Sequence, residues 1–98
     1  MKDLIYAYYK ARGLKLPDAK QALDFAVTEM GEAMDAWIRT EQDGWVRNNE
    51  RQPNFGFELA DVYMMIQLSA FIKTGFTVEE LLKMKMANKG FIGTGGAR

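Results

Sequence analysis

Residues 56–73 read GFELADVYMMIQLSAFIK. From Leu59 to Ile72 the run is apolar at nearly every position, so it is expected as a helix at the centre of a small domain. Asp61 is the only charged residue between Leu59 and Ile72. With Leu59, Ala60, Val62, Met64 and Met65 around it, that carboxylate is costly unless something compensates it.

Helices are expected on both sides of this run. Upstream, Leu23, Ala26, Val27, Met30, Met34, Trp37 and Ile38 recur at three- and four-residue spacing, which predicts one long helix from Asp18 to about Thr40. Pro17 suits its first turn, where a missing N–H costs nothing. Gly31 lies inside it at a cost of about 1 kcal/mol relative to Ala, unless something approaches the backbone there. Residues 3–12 form a short first helix with Leu4, Ile5 and Tyr8 on one face, stopped by Gly13. Downstream, Gly75 ends the central helix. Thr77-Val78-Glu79-Glu80 is a capping box opening a fourth helix, Val78 to about Lys89. Between the two long helices, Glu41 to Phe55 is polar and turn-rich, the kind of long loop that often carries function, with Trp45 and Phe55 able to fold back onto the helices. The Gly-rich tail 90–98 is expected to fray. No strand-type alternation interrupts this order, so the chain is expected to be all-α, with one domain over 1–98.

The chain has 98 residues, 48% of them hydrophobic, including seven Met and six Phe. That is generous for one small domain, which buries only part of its surface alone, and it points to a homo-oligomer. Net charge is zero, with 13 basic and 13 acidic residues and no basic stripe, so a nucleic-acid partner is not expected. The chain lacks Cys, which excludes a thiol nucleophile, a Cys zinc site and a disulfide scaffold. It also lacks His, the commonest general base and zinc ligand. The N-terminal residues have no apolar signal core, and Val62 to Ile72 is too short to span a bilayer. A soluble, cytoplasmic protein without a membrane partner is expected.

Acid–base and metal chemistry must therefore come mainly from carboxylates. Glu29 and Glu32 are three apart and share a helix face; Glu58 and Asp61 do the same on the central helix. Two such pairs facing each other make a hard, oxygen-only site suited to Mg²⁺ or Mn²⁺. Salt bridges to Lys83, Lys85 or Arg39 are the structural alternative.

The order Glu29-x-x-Glu32, then Glu58-x-x-Asp61, resembles the signature of the MazG-like nucleotide pyrophosphohydrolases, an all-α superfamily. Glu58-Leu59-Ala60-Asp61-Val62-Tyr63 is similar to the third-helix motif of that family. Thr74 to Leu81 resembles its turn into the fourth helix, and Lys85-Met86-Ala87-Asn88-Lys89 its closing Lys/Asn motif. The chain departs from that pattern where Ala33 follows Glu32, where Lys85 and Asn88 are three apart, and where Gln67-Leu68-Ser69 replaces a stretch that often carries a second Asp.

The resemblance implies a four-helix MazG-like bundle completed by dimerisation, or a dimer of dimers. It implies Mg²⁺-dependent cleavage of a nucleoside triphosphate to the monophosphate and pyrophosphate, in house-cleaning or control of nucleotide pools. Glu29, Glu32, Glu58 and Asp61 would bind the metal, and one of the glutamates would take the proton of the attacking water. Lys85, or Lys83, would pair with phosphate, and Asn88 would hydrogen-bond phosphate or sugar. Trp37 and Tyr63 are the aromatics that could stack on a base. The alternative is a helical interaction module that keeps the fold without the chemistry.

Overall fold

The computed structural model describes residues 1–43 and 55–89, the side chains of 40–43 excepted. The described residues form four helices and no strand: α1 (Lys2–Ala11), α2 (Ala19–Asp43), α3 (Phe55–Thr74) and α4 (Val78–Asn88). The all-α expectation holds, and the boundaries move for identifiable reasons. Asp18 stands outside α2 as its cap rather than inside it. The Gln21 N–H donates to Asp18 Oδ1 at 2.8 Å, and the Asp18 N–H donates to Gln21 Oε1 at 3.0 Å. This reciprocal pair satisfies backbone donors that a helix start leaves open, and it leaves Pro17 just before the cap. At the other end α2 runs on through Asp43, and Phe55 already belongs to α3, so the expected loop is shorter than Glu41–Phe55. Trp45 and the tail 90–98 lie outside the described residues.

Gly13 and Gly75 both have positive φ, +66° and +79°, so each supplies a left-handed stop that a side chain would strain. After Gly75 the expected capping box forms. The Thr77 hydroxyl accepts from the Glu80 N–H at 3.1 Å, and the Glu80 carboxylate accepts from the Thr77 N–H at 2.8 Å.

α3 is central, as its composition predicts: it packs along α2 and also meets α1 and α4. The α2 side of the seam is built from small residues. Ala22, Ala26, Ala33 and Ala36 are all buried, opposite Val62, Met65 and Leu68 of α3. Methyl-sized side chains let two helix backbones approach closely. α1 closes one end by inserting Ile5 among Ala22, Ala26, Met65 and Leu68. The Lys2 ammonium sits 4.4 Å from the centre of the Phe71 ring, and the Tyr6 ring meets Phe71 edge-on.

Among the described residues, one polar side chain is buried. Gln67 is fully buried, and its carboxamide ties α3 to the start of α4. Its Nε2 donates to the Tyr63 hydroxyl at 2.7 Å and to Glu79 Oε1 at 2.8 Å; its Oε1 accepts from the Val78 N–H at 2.7 Å. The Tyr63 hydroxyl in turn donates to Glu79. A buried amide is tolerable because its partners are all supplied.

The single apolar face expected on α2 divides in two. Ala26 joins the seam, but Leu23, Val27, Met30, Met34 and Trp37 remain 44–70% exposed. They recur at spacings of four, three, four and three, the 3.5-residue repeat of a helix that packs against another helix. Trp37 contacts Phe55 edge-on at 5.1 Å between ring centres. α3 is similarly under-covered. With 20 residues and a mean hydropathy of 1.3, it has the length and composition of a membrane-crossing helix, exceeding the Val62–Ile72 run, yet only 17% of that apolar window is buried inside the protomer. At Gly31 no atom of another described element lies within 4 Å of where a Cβ would stand, so none of them makes use of the missing side chain.

Candidate metal centre

Because α2 and α3 pack side by side, the two acid pairs meet across the seam. Glu29 and Glu32 project from one stripe of α2, and Glu58 comes from the first turn of α3. One carboxylate oxygen from each of Glu29, Glu32 and Glu58 lies within 4.8 Å of the other two. Opposite ligands on an octahedral Mg²⁺ stand about 4 Å apart, given bonds of about 2.0–2.1 Å. Small side-chain adjustments would close the cluster on one such ion, and the donor set is the hard oxygen kind that Mg²⁺ and Mn²⁺ favour.

Asp61, one turn further along α3, is more exposed and lies outside this tight triad. Its charge still belongs to the same patch. The Glu29 carboxyl is pushed above its ordinary range by burial, then by the charges of Glu32, Asp61 and Glu58, and by a hydrogen bond shared with Glu32. Glu58 is raised by burial and by Asp61 and Glu32. Asp61 is raised by burial and by Glu32. Each shift has the direction that crowded, partly desolvated like charges produce.

The salt-bridge alternative finds no support among the described residues. Among the described residues the ion pairs are Lys2–Asp3, Lys20–Asp24 and Arg39–Asp35, and none involves the four acids. Arg39 is thus engaged one turn away along α2, and Lys83 and Lys85 make no ion pair with the cluster. The acids thus repel one another with no ion pair to offset them among the described residues, an arrangement that a divalent ion could relieve.

The other expected site residues lie apart. Lys85 and Asn88 are exposed on α4, which meets α3 but not α2. α4 docks through Tyr63 and Gln67, and these face away from Asp61 by helical register. Tyr63 is held at that junction by its hydroxyl, and Trp37 stands on the exposed stripe of α2 beside Phe55. The structure thus brings together three of the eight expected residues within ligand distance, with Asp61 beside them.

Tyr9 was not foreseen. Its phenol is pushed up by burial, by Tyr8, and by the charges of Asp61 and Glu29, so α1 delivers an aromatic side chain to the edge of the acid patch. Ile5, one turn earlier, could have signalled it, because a residue four positions from a core anchor faces the same neighbour. Which neighbour that would be is a matter of tertiary packing. Compared with family models, with curated proteins and with solved structures, the chain has no match.

Proposed function

We propose that the protein is a Mg²⁺-dependent nucleotide pyrophosphohydrolase of the MazG-like kind, working as a homo-oligomer. The observation that carries this reading is the convergence of Glu29, Glu32 and Glu58 within 4.8 Å, next to Asp61 and with no ion pair to any of the four among the described residues. When bound, Mg²⁺ supplies charge neutralisation for the phosphates and a more acidic water. The three glutamates would hold the ion. Water attacks the α-phosphorus, the bond to the bridging oxygen of the β-phosphate breaks, and pyrophosphate leaves. The proton released by the water passes to a carboxylate of the patch acting as general base. Lys85 or Lys83 and Asn88 are the proposed phosphate contacts, carried by resemblance alone.

The test is pyrophosphate release from a panel of nucleoside and deoxynucleoside triphosphates with Mg²⁺. Turnover that disappears with a chelator and returns with Mg²⁺ or Mn²⁺ is expected. A protein that binds neither ion and releases no pyrophosphate from any member of the panel would sink the reading.

The oligomer is supported by the exposed apolar residues Leu23, Val27, Met30 and Met34 on α2 and by the thin coverage of α3. Exposed apolar area of this extent on a small domain is what a subunit interface uses. Sedimentation should give a mass above the 11.2 kDa of one chain. Val27→Glu together with Met34→Glu should return it to that mass, because two charges would enter the interface between subunits. A wild-type monomer at all concentrations would remove this part of the proposal.

The same apolar stripe favours a second reading, an interaction module without chemistry. It differs in expecting oligomerisation with no turnover and no thermal shift on adding Mg²⁺ with nucleotide.

A further inference from the structure

The acid stripe of α2 continues past the carboxylates into a cavity. Reading back from Glu32, the residues Glu29, Phe25 and Gln21 follow at spacings of three, four and four, and so lie on one face. Phe25 and Gln21 form one wall of a cavity of about 220 Å³, and Tyr9, Lys15, Leu16 and Pro17 form the rest. Along the helix axis Phe25 is about 6 Å and Gln21 about 12 Å from Glu29, at 1.5 Å per residue. That is the scale on which a nucleotide places its sugar and base beyond its phosphates. Tyr9 also feels the charges of Glu29 and Asp61, so the cavity and the carboxylates are neighbours.

The lining has the composition of a base site. Tyr9 and Phe25 offer two aromatic faces, and stacking on such faces accepts any base. Selectivity must come from a polar group at the base edge; of the two polar side chains in the lining, Lys15 and Gln21, it is Gln21 that is held in place, by its bonds with Asp18. Its carboxamide oxygen is committed to the Asp18 N–H at 3.0 Å. What it presents to a ligand is its NH₂, a donor only. The larger cavity, about 330 Å³ between Leu4, Tyr8, Ala60 and Tyr63, presents an apolar surface to a ligand.

We propose that the slot between Tyr9 and Phe25 holds the base of the nucleotide whose phosphates lie at the carboxylates, and that the Gln21 NH₂ donates to an exocyclic carbonyl. The slot then takes uracil, thymine, cytosine or guanine ahead of adenine, which has no carbonyl. This rests on the pyrophosphohydrolase reading for the position of the phosphates.

The test uses the full chain with Mg²⁺ and the α,β-imido analogues of UTP, CTP, GTP and ATP, with binding measured by calorimetry. The ATP analogue should bind about fivefold to tenfold more weakly than the others, the value of one neutral hydrogen bond at an open site. Phe25→Ala should weaken all four about tenfold by removing a stacking face, while Mn²⁺ binding followed by electron paramagnetic resonance stays at the wild-type level. Phe25 is half exposed, so its loss leaves the core intact. Gln21→Glu keeps an acceptor for the Asp18 N–H and hence the helix cap, but deletes the donor. The four analogues should then bind within about twofold of one another, whatever uniform loss the new charge brings. An ATP analogue as tight as the rest in the wild type, or unchanged affinities in Phe25→Ala, would overturn the slot, as would the absence of any analogue binding. The reaction is scored separately. If the slot pattern appears but the natural triphosphates release no pyrophosphate, the slot stands and the hydrolase reading falls; pyrophosphate release with unaltered Phe25→Ala binding gives the reverse.

Discussion

Glu58→Gln should lower pyrophosphate release by at least about 100-fold, the scale expected when a metal site loses a ligand, and the same substitution should raise the melting temperature of the metal-free protein. The two effects have one cause. Glu58 is desolvated and stands against the charges of Asp61 and Glu32. Replacing its carboxylate by a carboxamide of the same shape removes repulsion from the folded state while deleting a ligand. An ordinary surface glutamate would show neither effect, and a structural salt-bridge partner would show the opposite change in stability. Asp61→Asn should also cost activity, but with weaker loss of Mn²⁺ affinity, since Asp61 lies outside the triad. Full turnover in Glu58→Gln, measured alongside a melting curve, would remove the proposed centre. A site that gives up stability for function is the general pattern such a substitution would display.

Acidification and metal addition should act alike on stability. In the folded chain Glu29 and Glu58 titrate above their ordinary 4.5 and Asp61 above its ordinary 3.8. Just above those ordinary values the folded state therefore binds more protons than the unfolded one, and stability falls as pH rises through the folded pKa values. Metal-free protein should melt at a higher temperature near pH 5 than at pH 7. Glu79 works the other way. Its hydrogen bonds from Tyr63 and Gln67 hold its pKa below 4.5, so its contribution is lost only as the pH falls further. The stability maximum should thus lie on the acid side of neutrality, with a decline below the carboxylate range. Mg²⁺ or Mn²⁺ should raise the melting temperature at pH 7, and the increment should shrink toward pH 5 as protons compete for the same oxygens. Differential scanning fluorimetry across that range, with and without a chelator, measures both. A metal-free melting temperature that falls steadily from pH 7 to pH 5 would contradict the crowded-carboxylate account.

Much of the architecture was legible because it is local. The Thr77/Glu80 box, the stops at Gly13 and Gly75, and the apolar run of α3 each announce themselves within a few residues. The meeting of Glu29, Glu32 and Glu58 was legible for a different reason: two acid pairs on two helices that must pack leave few places to go. What spacing does not resolve is which flank of a helix a neighbour occupies. On α2 the buried Ala22, Ala26, Ala33 and Ala36 and the exposed Leu23, Val27, Met30 and Met34 both recur at helical spacing, and the larger residues look like the better core. The small ones won because α3 packs against them closely. Gln67 was noticed only as a departure from an acidic pattern; its role in joining α3 to α4 depends on Glu79 and Val78, which arrive from another helix. Tyr9 and the slot beside it likewise depend on where α1 comes to rest.

The alanine seam also works as a gauge. The separation of α2 and α3 sets the separation of Glu29 and Glu32 from Glu58, and it is fixed by side chains that end at a single carbon. Ala33, almost fully buried, immediately follows Glu32, so any thickening there is passed directly to the ligand oxygens. Mg²⁺ takes oxygens at about 2.0–2.1 Å, whereas Ca²⁺ takes them at about 2.3–2.6 Å and accepts more of them. If the carboxylates hold the proposed ion, calibration of its radius lies in residues that do not touch it: an Ala33→Val chain that still folds should slide its preference from Mg²⁺ toward Ca²⁺, with every carboxylate still in place.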